Sequence, residues 1–424
     1  MKPTFDTARR AELLVSGMAG GLVGSEILRI AAEVRALQGN GREVLDLTVG
    51  DFAPAQFRIP RGLEERIQAA LRAGETNYPP SSGIPRLRES VARLMQRELG
   101  LEYPLPGVMI AGGARPLIYA TYRALVDPGE TVVYPVPSWN NNHYAHLVGA
   151  RSVVVPATPE RRFLPDAASL RPHLEGARLL ALCSPLNPTG TAFAAEDLAA
   201  ISDLVLDENR RRGPGARPLY LMYDQVYWML TFGSVKHVNP VQLRPEMAPW
   251  TVMVDGISKA LAATGLRVGF GLGPPAVIQR MSDLLGHVGA WAPRAEQVAT
   301  AEFLDDALAL DEFRREFRTG VERRLDALHR GLQRLASEGL PVRSIEPMGA
   351  IYLTVQFALL GRSNEEIRRL LLERAGVAVV PFQSFAYPGD TGWFRASVGA
   401  TGEAEIVRAL PRLAVALDEL RRRG

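Results

Sequence analysis

The stretch Thr251-Val-Met-Val-Asp-Gly-Ile-Ser-Lys-Ala-Leu-Ala-Ala-Thr-Gly-Leu-Arg-Val-Gly-Phe-Gly-Leu272 sets two short apolar runs, 251–254 and 268–272, around Ser258, Lys259 and Arg267. Short apolar runs punctuated by glycine read as buried strands. Lys259 then falls just past the end of one strand, and Arg267 just before the next. The same kind of run recurs at 107–111, 131–134, 152–156, 179–183 and 219–223, alternating with helical periodicity from about residue 60 to 300. Such alternation predicts an α/β domain whose seven runs form one large, mostly parallel sheet with helices on both faces. Gly112-Gly113, Trp139, Asn187, Asp224 and Ser258-Lys259 all lie just beyond run ends. Open α/β sheets bind ligands beyond the carboxyl ends of their strands, so one site can collect all of them.

Only three of the 49 basic residues are lysines: Lys2, Lys236 and Lys259. Where plain positive charge suffices, this chain uses arginine. A primary amine can lose its proton and condense with an aldehyde, which a guanidinium with a pKa above about 12 cannot do. The position of Lys259 therefore suggests amine chemistry, whereas Lys2 and Lys236 fit the reading of residual surface lysines.

After about residue 295 the pattern changes to a long helical stretch, 295–337, then shorter strands near 351–355, 377–380 and 394–398, and a last helix from Gly402. The expectation is a smaller α+β domain at 301–424, a large domain at 61–300, and an N-terminal segment, 1–60, that packs on the small domain. With 424 residues, 47% hydrophobic and 22% charged, the composition is that of an ordinary globular protein. The net charge of +3 and the interleaving of arginine with Asp and Glu give no nucleic-acid footprint. No membrane span or signal-peptide pattern is present in 13–25. One cysteine, Cys183, excludes an internal disulfide and permits a cytoplasmic location. His143 and His146 lack a third partner at metal-ligand spacing, so no metal is expected.

Taken singly, the chemical residues have bland readings. Asn187-Pro-Thr-Gly190 is a good turn, Gly112-Gly113 suits any strand-to-helix turn, Asp224 can cap a helix, Trp139 can be core, and Arg395 can be one of many surface arginines. Taken in order, they resemble the fold-type I pyridoxal-phosphate enzymes, and the class I/II aminotransferases in particular. The resemblance runs through Asn77-Tyr78-Pro79, Gly83-Ile-Pro-Arg-Leu-Arg88, Pro137-Ser138-Trp139, Ser184-Pro-Leu-Asn187-Pro-Thr-Gly190, Tyr223-Asp-Gln-Val-Tyr227, Ser258-Lys259 with Arg267, and Phe394-Arg395. It spans nearly the whole chain and implies the aspartate aminotransferase-like fold.

The resemblance also implies roles. Lys259 would carry the cofactor, pyridoxal 5'-phosphate, and act as the proton-moving base once a substrate amine displaces it. Asp224 would keep the pyridine nitrogen protonated, and Tyr227 and Asn187 would bind the phenolic oxygen. Backbone at Gly113 and Ala114, with Ser258 and Arg267, would hold the phosphate, Tyr78 would reach across from a second subunit of a homodimer, and Arg115 would also lie at the cofactor. Trp139 would stack on the ring, Arg395 would bind the substrate α-carboxylate in bidentate fashion, and Gly50 would leave room beside the substrate.

The chain also departs from the pattern. Gly256 stands where many members carry a serine, which removes a phosphate contact. Ala114 follows the Gly-Gly turn where dicarboxylate-specific bacterial members commonly carry lysine, and His287 lies near the position of the arginine that binds a distal carboxylate in animal-type aspartate enzymes. Arg294 and Arg115 are the remaining sources of positive charge. The expected activity is ping-pong transamination of a neutral or aromatic amino acid, in preference to aspartate, with a 2-oxo acid. The rivals are a carbon-sulfur lyase or synthase on the same fold and a non-catalytic sensor.

Overall fold

The computed structural model describes residues 15–24 and 26–422; Lys2 and Arg423 lie outside them. Its centre is a seven-stranded sheet ordered Val108–Ala111, Gly269–Leu272, Thr251–Gly256, Tyr220–Asp224, Ala177–Cys183, Thr131–Val136 and Arg151–Pro156. Gly269–Leu272 runs antiparallel to both neighbours, and the other pairings are parallel. Central strands are buried along almost their whole length, as expected for a sheet covered on both faces.

Leu87, Leu94, Leu198, Ile201 and Phe303 pack one face, from helices Pro85–Leu99, Ala195–Arg212 and Arg294–Asp305. Leu117, Tyr122, Ile278 and Met281 pack the other, from Ala114–Leu125 and Pro275–Val288. Local chemistry sets several helix limits. Pro85–Leu99 opens on proline and closes at Gly100, whose φ of 64° lets its N–H reach Gln96 O and Met95 O. Helix Ala114–Leu125 starts directly from Gly113 at φ 99°.

The C-terminal part holds a four-stranded antiparallel sheet, Val380–Pro381, Trp393–Ser397, Tyr352–Phe357 and Val342–Ser344, under helices Ala307–Ser337 and Glu403–Arg422. Two expectations need correction here. The helical stretch 295–337 is two helices, because Asp306 leaves helical geometry and caps the second with its side chain on Ala309 N. The run 377–380 is not one strand: Val377–Ala378 pairs in parallel with Leu45–Asp46, while Val380–Pro381 joins the antiparallel sheet. Strand Val342–Ser344 was not expected at all.

Helix Glu26–Gly39 buries Ile27 and Ile30 against Phe382, Phe385 and Trp393, and Val34 against Leu372 and Ala378. Glu33 adds an ion pair to buried Arg368 at 3.1 Å. Leu47, Phe52, Phe57, Val226, Tyr227 and Leu230 belong to the same core as the C-terminal sheet. The ends of the large-sheet strands thus meet the smaller sheet along an apolar seam.

Candidate active site

Strand Thr251–Gly256 is followed by one helical turn, Ile257–Ala260, which turns Lys259 back into that seam. Its Nζ donates to Gly50 O at 2.6 Å and lies 5.7 Å from the Phe52 ring centroid and 5.9 Å from that of Tyr227. No carboxylate forms an ion pair with it among the described residues. Burial pushes its pKa down to about 8; nearby Asp51 opposes this, and Arg395, Arg115 and Arg267 reinforce it. The amine therefore gives up its proton well below the usual lysine range, with a minor unprotonated fraction at neutrality.

Asp224 ends strand Tyr220–Asp224, and its only side-chain hydrogen bond among the described residues comes from Val226 N at 3.2 Å. Burial raises its carboxyl to about 6. A buried acid without a cationic partner has its chemistry open to a basic ligand. Three residues on, the Tyr227 hydroxyl meets that of Tyr352 at 2.6 Å. Gly190, at φ 70°, closes the 187–190 turn and brings Asn187 Oδ1 to 3.2 Å from Arg395 Nη1.

Arg395 is 1% exposed. Its Nη2 donates to Thr48 O at 2.5 Å, its Nε has no partner among the described residues, and its guanidinium sits 4.7 Å from the Tyr352 ring centroid and 4.8 Å from that of Phe385. A buried cation held between aromatic faces with donors unspent is suited to a carboxylate.

At the other end, Arg267 donates to Thr264 O at 2.7 Å and Gly112 O at 2.9 Å. A Cβ on Gly113 would lie 2.2 Å from Arg267 Nη2, and one on Gly269 would lie 2.4 Å from Gly113 C, so both positions need glycine. Gly256 has a similar cause: a side chain there would meet Val268 O at 2.8 Å and Gly269 Cα at 2.9 Å. Ser258 is part-buried, and its hydroxyl has no hydrogen-bond partner among the described residues. The Arg115 guanidinium stacks on Trp139 at 5.2 Å.

The structure therefore brings together Lys259, Asp224, Tyr227, Asn187, Arg395 and Gly50, with Gly113, Ala114, Arg115, Trp139, Ser258 and Arg267 around them. It does not bring Tyr78 or His287 to this cluster within one chain. Tyr78 is 80% exposed and touches Trp291 at 5.1 Å, and His287 is exposed near the end of helix Pro275–Val288. Arg294 is engaged by Glu75. Sequence reading missed Tyr352, Asp51, Thr48 and Phe385, whose neighbours along the chain read as core strand or loop.

These groups fit pyridoxal phosphate. Among the described residues, a part-buried amine faces the seam with no counter-ion, a part-buried acid lacks a base, Arg395 keeps an orphaned Nε, and bare glycine backbone surrounds Arg267. The fold and this donor set define a pyridoxal-phosphate-dependent transaminase. The family model "Aminotransferase class I and II" matches residues 42–413, and the chain belongs to that family.

Relatives include a probable aspartate/prephenate aminotransferase of Thermus aquaticus, 33% identical over 92% of this chain and 96% of its own length. An aspartate aminotransferase of Rhizobium meliloti is 31% identical, covering 93% of this chain and 94% of its own. Among solved structures, the aspartate aminotransferase of Thermus thermophilus with maleate superposes with a TM-score of 0.86 at 29% identity, covering 95% of this chain and 99% of that one. An aromatic aminotransferase of Pyrococcus horikoshii gives 0.81 at 27%, covering 92% and 99%.

Proposed function

We infer that this transaminase transfers the amino group of a neutral or aromatic amino acid, in preference to aspartate, to a 2-oxo acid by a ping-pong cycle. Glutamate and 2-oxoglutarate form the second substrate pair. The observation that carries the assignment of the site is the seam itself, where Lys259, Asp224, Tyr227, Asn187 and Arg395 converge from separate elements onto one buried space. Pyridoxal phosphate, when bound, supplies an aldehyde for an amine and a ring that accepts the electron pair left at the substrate Cα.

The chain's own groups do the rest. Lys259 Nζ, kept partly unprotonated by burial, carries the cofactor at rest and takes the Cα proton during turnover. Asp224 would face the ring nitrogen, Tyr227 and Asn187 would face the phenolic oxygen, and Trp139 would stack on the ring. Arg267, Ser258 and the backbone at Gly113 and Ala114 would hold the phosphate, with Arg115 beside them. Arg395 grips the substrate α-carboxylate. Tyr78 and His287, exposed on one chain, serve the neighbouring subunit of a cytoplasmic homodimer. Residues 61–300 form the cofactor-binding domain and 301–424 the small domain, with 1–60 packed on the latter.

Three observations support the preference against aspartate. Ala114 offers no charge, Arg294 is held by Glu75, and His287 is exposed. A dicarboxylate reading has its own support, because Arg115 makes no ion pair with a carboxylate among the described residues and lies close enough to Lys259 to affect it. An amino-acid panel separates the two. Loss of the visible absorption of the lysine-bound cofactor should be fastest with neutral or aromatic amino acids, with Lys259→Ala as the blank. Faster bleaching by aspartate than by any of these assigns the dicarboxylate reading instead.

A further inference from the structure

Tyr352 has no part in the roles given above, yet it touches two of the groups that carry them. It heads strand Tyr352–Phe357 and is 1% exposed. Its hydroxyl lies 2.6 Å from that of Tyr227, with the two rings edge to face at 5.6 Å. Its ring face supports the Arg395 guanidinium at 4.7 Å. The same hydroxyl would be 2.7 Å from a Cβ on Gly50, so this glycine makes room for Tyr352 as well as for substrate.

We propose that Tyr352 is a positioning residue joining the two ends of the site: its hydroxyl donates to Tyr227 Oη and turns the Tyr227 proton toward the cofactor's phenolic oxygen, while its ring face holds Arg395 ready for the substrate carboxylate. This rests on the roles given above to Tyr227 and Arg395. Each phenol has one proton, and burial raises both pKa values, so both protons are present at neutral pH. At 2.6 Å one of the two protons lies between the oxygens. Tyr227 Oη is the sole hydrogen-bond acceptor of the Tyr352 hydroxyl among the described residues, and the nearby guanidinium offers donors only. With Tyr352 donating, Tyr227 keeps its own proton for the cofactor, and the chained bonds strengthen each other.

The two functions of Tyr352 separate by substitution. Tyr352→Phe removes the hydroxyl and keeps the ring under Arg395, whereas Tyr352→Leu removes both. A donor on the phenolic oxygen spreads its negative charge, so losing it favours the protonated chromophore and raises the midpoint of the pH-dependent visible absorption.

For Tyr352→Phe the midpoint should rise by roughly half a unit to one unit, cofactor affinity of the apoenzyme should fall by about 2- to 10-fold, and KM should stay unchanged. Tyr352→Leu should add an increase in KM of about tenfold or more. Tyr227→Phe is the reference. If it shifts the midpoint and Tyr352→Phe does not, the coupling is wrong while the reading of Tyr227 stands. If Tyr227→Phe leaves the midpoint unchanged, the site reading fails and the proposal falls with it. Equal KM for the Phe and Leu variants overturns the link to Arg395.

Discussion

Lys259 costs the folded protein stability, and the cost has a pH signature. Its pKa falls from 10.5 to about 8 on burial. Below pH 8 both folded and unfolded chains hold the proton, so the penalty is fully present, on the order of 3 kcal/mol. Between pH 8 and 10.5 the unfolded chain binds the proton and the folded chain does not, so stability rises with pH. Lys259→Met fills the same space without charge. The cofactor-free variant should melt a few degrees above the cofactor-free wild type at pH 7, with the gap closing between pH 8 and 10.5; calorimetry across that range checks it. A gap independent of pH would mean that the lysine is not neutral in the fold. Lys259, Asp224, Asn187 and Arg395 were legible in the sequence because each follows or lies on a recognisable strand and has a distinctive chemistry. Tyr352 was not, because a tyrosine on an apolar strand reads as core, and only the folded chain shows which hydroxyl it meets.

Among the elements, the seven strands of the large sheet were readable because buried parallel strands are short, apolar and bounded by turns. The smaller sheet was harder. In 377–380 four consecutive apolar residues serve two sheets, and nothing local marks the change of partner at Val379. The break at Asp306 left a trace only in its capping side chain, since helical periodicity continues on both sides. The 187–190 turn shows how tightly such elements fit. A Cβ on Gly190 would lie 2.1 Å from Tyr352 O, and its φ of 70° disfavours any side chain. Met348 N and Gly349 N both donate to Gly190 O, at 2.8 and 2.9 Å, so the clash cannot be relieved without moving the smaller sheet. Gly190→Ala should therefore destabilise by more than about 2 kcal/mol in urea unfolding and raise KM by displacing Asn187. Gly215→Ala, where a Cβ meets nothing within 4 Å, should stay within about 0.5 kcal/mol.

At the scale of the whole molecule, one chain leaves two of the proposed site residues facing outward. Tyr78 is 80% exposed, and Val288, in the helix that also carries His287, is 66% exposed. Large apolar side chains grouped on a surface mark a contact face. If that face meets a second copy, Tyr78 completes the neighbour's site, and the arrangement can be read from mixed dimers. Tyr78→Ala and Lys259→Ala should each be nearly inactive as homodimers. In a hybrid of the two, one site combines an intact Lys259 with the other subunit's intact Tyr78, and the second site carries both defects. Unfolding and refolding an equimolar mixture should then restore activity, to about half the wild-type level per hybrid dimer, with the hybrid isolated by differential affinity tags. If Tyr78 acts only within its own chain, every site in the hybrid keeps one defect and mixing restores nothing. Sedimentation of the same samples separates that outcome from a failure to pair, because a hybrid that sediments as a dimer and remains inactive places Tyr78 in its own subunit's site.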